Sequence, residues 1–134
     1  MRTFIATFFF AILAFGANAQ ERSSEIRSTI ESQLKALQQD DFAAAFEFAS
    51  PNIQTRFRNS ANFGMMVQRG YPMVWRPKNV TFLNLRQENG IPIQRILVTD
   101  QEGATFVLDY FMVRTDTGWR INGVSLLTDL GPSA

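Results

Sequence analysis

Asp109 stands in the middle of FVLDYFMV, residues 106–113, with Tyr110 beside it. A carboxylate in so apolar a run has the makings of a general base, because desolvation raises its pKa toward neutrality. A nearby phenol can donate a hydrogen bond to a developing oxyanion, and Tyr110 and Tyr71 are the candidates for that donor. Neighbours on a strand point to opposite faces, so Asp109 and Tyr110 share a pocket only where a bulge intervenes. Asp109 also has a structural role open to it, as one half of a cross-strand ion pair with Arg95.

A second group lies in RGYPMVWRP, residues 69–77. Tyr71, Trp75 and Arg76 place two rings with polar tips and a guanidinium around two prolines. They suit a pocket mouth, with Arg76 meeting an anionic ligand. They suit equally a hydrophobic plug, with Arg76 capping carbonyls or pairing with a surface acid. Together with Tyr110 they are the ligand-binding candidates. Arg56 and Arg58, in QTRFRNS, are weaker anion-binding candidates set against a solvated loop. Asp40-Asp41 and Asp100-Gln101-Glu102 lack the ligand spacing of a calcium loop and read as a helix cap and a turn.

Absences narrow the chemistry further. The chain has no His and no Cys. The usual base near neutral pH is missing, as are Ser-His and Cys-His nucleophile pairs and the soft ligands of zinc, copper and haem sites. No metal and no cofactor is expected. Without Arg2, twelve basic residues face twelve acidic ones, scattered along the chain, which is no electrostatic footprint for nucleic acid.

Residues 1–19 read as a signal peptide. Arg2 is the positive start, Phe4–Phe15 the apolar run, and Ala17-Asn18-Ala19 the small-x-small site, so cleavage is expected between Ala19 and Gln20. The run is short for a membrane span, so membrane contact is expected only before cleavage. Residues 20–134 are then one domain, exported to the periplasm or beyond and held together without disulfides.

The elements that must position the candidates follow from periodicity. Ile26, Ile30, Leu34 and Leu37 form one stripe of a helix over 24–39, capped by Ser23 or Ser24. A second helix is expected over about 41–49, capped at its start by Asp40-Asp41 and ended by Pro51. A third is expected over about 60–69, with Gly70 as a left-handed stop. Residues 71–77 then make a stiff irregular crossing, because Tyr71 and Arg76 each precede a proline.

Four strands follow, over 79–87, 91–99, 104–114 and 118–127, joined by hairpin turns at Asn89-Gly90, Gly103 and Thr117-Gly118. Turn length sets register. It pairs Leu85 with Gln94, Leu83 with Ile96, Ile96 with Leu108, Val98 with Phe106, and Arg95 with Asp109. The core face then holds Leu83, Leu85, Ile96, Val98, Phe106, Leu108, Tyr110 and Met112. The other face holds Phe82, Ile93, Leu97, Asp109, Phe111 and Val113 among others, and is apolar enough to want a covering, such as a second copy of the chain.

Helices first, then a long meander closing in GWRINGVSLL, resembles the nuclear transport factor 2-like or cystatin-like superfamily. A closer resemblance, over about residues 24–127, is to a family of small exported proteins, mainly alphaproteobacterial, classed as a domain of unknown function. It is carried by QLKALQQDDFAAAFEFASPNIQTRF, by RGYPMVWRP followed by VTF, and by GWRINGV. The resemblance implies an α+β fold, with N-terminal helices packed on the concave face of a curved, mostly antiparallel four-stranded sheet. It implies no catalytic residues, since the superfamily holds both enzymes and domains that only bind or assemble.

Three readings follow. The first is a non-catalytic domain binding a small apolar or amphipathic ligand, or a partner protein, with a homodimer through the face of Phe111 and Val113. The second is a His-free isomerase or cyclase-like enzyme using Asp109 with a Tyr. The third is a structural subunit without a cavity.

Overall fold

The computed structural model describes Thr3 and residues 14–127. Five helices come first: α1 (Ala14–Gln38), α2 (Phe42–Glu47), α3 (Pro51–Phe57), α4 (Ser60–Gly70) and α5 (Pro72–Trp75). Four strands follow: β1 (Pro77–Glu88), β2 (Ile91–Asp100), β3 (Thr105–Thr115) and β4 (Gly118–Leu127). They form one antiparallel sheet in the order β1-β2-β3-β4. The helices cover the concave face of this curved sheet, which is the expected α+β architecture.

Helix α1 begins ten residues before the expected start at Ser24 and runs through the Ser pair, so neither serine caps it. The expected cleavage point between Ala19 and Gln20 lies within this helix, while most of the apolar run before it lies outside the described residues. The stripe of Ile26, Ile30, Leu34 and Leu37 is buried as its spacing requires.

Asp41 caps α2, its carboxylate accepting the Ala44 N–H at 3.1 Å. That helix stops at Glu47, short of the expected residue 49, because the backbone beyond it is claimed by the sheet. Ala49 bridges Ile121; the Ser50 N–H donates to the Ile121 carbonyl at 2.8 Å, and the Ile121 N–H to the Phe48 carbonyl at 2.9 Å.

Pro51 does not end α2, which stops four residues earlier, and instead starts another helix. Ser50 is extended (φ −64°, ψ 161°) and caps α3 by accepting the Ile53 N–H, with Pro51 in the first turn, where its missing N–H costs nothing. Sequence reasoning expected only a stop.

Asn59 caps α4, its side-chain oxygen accepting the Asn62 N–H at 2.8 Å. Gly64 lies against Phe42; a Cβ there would meet the ring at 2.7 Å, so glycine is what lets α2 and α4 approach. Gly70 is not the left-handed stop. It is the last residue of α4, and Tyr71 (φ −136°, ψ 54°) ends the helix, held off helical geometry by Pro72. The crossing at 71–77 is partly regular, a single turn (α5) between two pre-proline residues in extended-side φ.

In the sheet, Asn89 and Gly90 both take positive φ, 51° and 78°, the two-residue hairpin turn their types favour. Leu85 pairs with Gln94, Arg95 with Asp109, Ile96 with Leu108 and Val98 with Phe106, as turn length requires. One expected pair fails. Ile96 pairs with Phe82 and not with Leu83, because β1 bulges between Phe82 and Leu85. The bulge reverses the alternation N-terminal to it, so Phe82 packs against the core while Leu83 is 41% exposed. Buried Gln94 steadies the bulge, donating to the Leu83 carbonyl at 3.0 Å and to the Arg95 carbonyl at 2.9 Å.

Candidate functional site

Helices and sheet leave a cavity of about 200 Å³. Its apolar wall comes from Leu37 of α1, Ile53 and Phe57 of α3, Phe63, Met66 and Val67 of α4, Val74 of α5, and Ile121 and Val124 of β4. Its polar lining is Gln33, Arg56, Tyr71, Tyr110 and Asn122.

Tyr110 comes from β3 and is fully buried. Its hydroxyl has no hydrogen-bond partner among the described residues. Burial, and secondarily the nearby Tyr71, push its pKa well above the usual phenol value, so it stays a neutral O–H. Tyr71 stands close by, but its hydroxyl already donates to the Val124 carbonyl at 3.2 Å. Gln33, buried on α1, donates to the Ala45 carbonyl at 3.1 Å. At the rim, the side chain of Asn122, the residue bulged out of β4, accepts from Ser50 Oγ at 2.7 Å. That contact ties the start of α3 to the sheet. Arg56 is exposed on α3 beside it, and no ion pair engages it among the described residues.

Two of the expected ligand-binding residues lie elsewhere. Trp75 and Arg76 do not line the cavity. The Arg76 guanidinium stacks on the Trp75 ring, 4.2 Å from its centroid. It donates to the Leu37 and Gln38 carbonyls at 3.2 and 3.1 Å and to Asp40 at 2.8 Å. The Trp75 indole N–H also reaches Asp40, at 2.8 Å. This is a cap on the last turn of α1, where a cation meets orphan carbonyls and the negative end of the helix dipole. The Trp75 hydrogen bond, then that of Arg76, holds the Asp40 carboxyl below its ordinary value.

Asp109 is also outside the cavity, on the outer face of the sheet, and only 3% exposed. Arg95 grips it at 2.9 and 3.1 Å, and Arg86 at 2.9 and 3.3 Å. Hydrogen bonds from Arg95, and then Arg86, pull the carboxyl down to about 2 despite its burial. Asp109 is therefore ionised with both oxygens occupied, the opposite of a base poised near neutrality. The enzyme reading needs Asp109 in the cavity and out of contact with Arg95, and neither condition holds. Strand alternation keeps Asp109 and Tyr110 on opposite faces, with no bulge between them.

Of the sequence candidates, then, the fold brings Tyr71, Tyr110 and the weaker candidate Arg56 to one cavity. Arg58 (φ 73°) caps the end of α3 and does not line the cavity. Gln33, Ile53, Phe57 and Asn122 were not anticipated. Ser50 before Pro51, a cap-and-proline start, was the available signal for α3 and its lining residues.

Comparisons with curated proteins and with solved structures return no match. A family model described as Domain of unknown function (DUF4864) matches residues 19–134. That match spans all of the α+β unit just described except the first five residues of α1, taking in the cavity and the Arg-Asp-Arg cluster behind it, and the chain belongs to this family.

Proposed function

We propose that this is an exported bacterial domain that binds a small apolar or amphipathic ligand in its cone and performs no chemistry on it. One observation carries the reading: a fully buried Tyr110 hydroxyl, without a partner among the described residues, in the wall of a largely apolar cavity of about 200 Å³. A buried unpaired hydroxyl costs about 1–3 kcal/mol, which a ligand acceptor offsets. The described lining residues offer donors and apolar surface but no carboxylate, amine or imidazole to move a proton. Export rests on the N-terminal charge, apolar run and Ala17-Asn18-Ala19.

The test is native mass spectrometry of the protein purified from its own host. A non-covalent adduct of small mass on a chain beginning at Gln20 is the expected result. A chain that is ligand-free in every preparation argues against a resident ligand, and a mass retaining residues 1–19 argues against cleavage. A second reading concerns the outer face. Leu97, Val107, Phe111 and Val113 are only half-buried there, which favours a protein partner on that face, a second copy first.

A further inference from the structure

The cavity has two polar points in opposite settings. Inside, Tyr110 offers an O–H that no group among the described residues receives. Its neighbour Tyr71 has already committed its proton to the Val124 carbonyl, so Tyr110 supplies the available one. A neutral phenol in an apolar wall selects for an acceptor, such as a carbonyl oxygen. At the rim, the exposed Arg56 is the one cation among the described lining residues. A single guanidinium matches a singly charged carboxylate, which it can hold by two parallel hydrogen bonds. The same cavity is lined by the apolar Ile53, Phe57, Met66 and Val67. The volume exceeds that of a cavity that admits benzene, and holds about ten non-hydrogen atoms.

We propose that the ligand is a compact amphipathic carboxylic acid. Its apolar body fills the cone, an acceptor at its inner end receives the Tyr110 hydroxyl, and its carboxylate meets Arg56 at the rim. This rests on the reading that the cone takes a small ligand, and it names the class.

Three probes of one shape separate the two contributions: para-acetylbenzoate, with acceptor and charge; para-isopropylbenzoate, with charge alone; and para-acetylbenzamide, with acceptor alone. Titration of the full mature chain, followed by NMR, gives their relative affinities. We expect para-acetylbenzoate to bind about tenfold tighter than either relative, the worth of one good hydrogen bond. Tyr110→Phe should erase the preference for acetyl over isopropyl and leave the preference for carboxylate over amide. Arg56→Gln should do the reverse. Tyr110→Phe removes one unpartnered atom and Arg56 is exposed, so both variants should fold, which circular dichroism checks. Equal affinity for the three probes, or a preference for the amide, overturns the assignment of an acid while leaving a binding cone. Failure of every probe to bind at millimolar concentration overturns both.

Discussion

Asp109 receives four hydrogen bonds from two guanidinium groups while almost fully buried. Its carboxyl is held at about 2 against an ordinary 3.8. A folded value below the unfolded one gives stability that is complete above the unfolded pKa and lost as pH falls from about 4 toward 2. The shift is worth on the order of 2 kcal/mol. Asp109→Asn should therefore lower unfolding free energy at neutral pH by about 2–3 kcal/mol, toward the lower end, since water still reaches both arginines. It should also flatten the loss of stability between about pH 4 and 2. Urea titrations of both proteins at neutral pH and near pH 3 check this; equal midpoints at neutral pH would show that the cluster is not stabilising. The Arg95 contact was legible in the sequence because a three-residue turn ending at Gly103 sets its register. The Arg86 contact was less so, since it runs from β1 past β2 to β3 and is not a direct cross-strand pair.

At the scale of elements, close approach does work that propensity does not reveal. Gly64 is buried in α4 with the Phe42 ring where its side chain would be. Alanine is the better helix former by up to about 1 kcal/mol, yet crowding a packed contact costs about 1–3 kcal/mol. Gly64→Ala should destabilise by about 1–2 kcal/mol net, and Phe42→Leu in the same chain should restore part of it. Thermal unfolding of the single and double variants measures both; a more stable Gly64→Ala protein would mean that the ring swings away freely. The strands, their order and the stripe of α1 were readable because each follows a local period. The bulges in β1 and β4 and the bridge from Ala49 to Ile121 were not, because each depends on residues distant in the chain. Those long-range contacts position Phe82, Asn122 and α3, so the rim of the cavity was hidden while its floor at Tyr110 was visible.

For the whole molecule, one face of the sheet is roofed by helices and the other is not covered by any described element. The Arg-Asp-Arg cluster on that face is internally satisfied and needs no partner, whereas the half-buried Phe111 and Val113 gain from one. If two copies meet there, Phe111→Glu with Val113→Glu should give a monomer, because facing like charges and buried carboxylates both oppose contact. Light scattering on both proteins reads the outcome; an oligomeric state unaltered by the pair of glutamates removes this face as the interface.

The rim of the cone has a further consequence, for time rather than affinity. Helix α3 is seven residues long, contains no buried residue, and ends at Arg58 in a left-handed conformation that non-glycine residues avoid. Its start is anchored by Ser50 to β4, but its far end has no such tether to the sheet. Segments of this kind open locally, on a microsecond-to-second scale, long before the fold itself yields. Since Ile53, Arg56 and Phe57 form part of the cavity wall, a guest in the proposed site should come and go as this short helix frays about its Ser50 hinge. The residence time expected of such a guest is then set by α3 and not by the depth of the pocket.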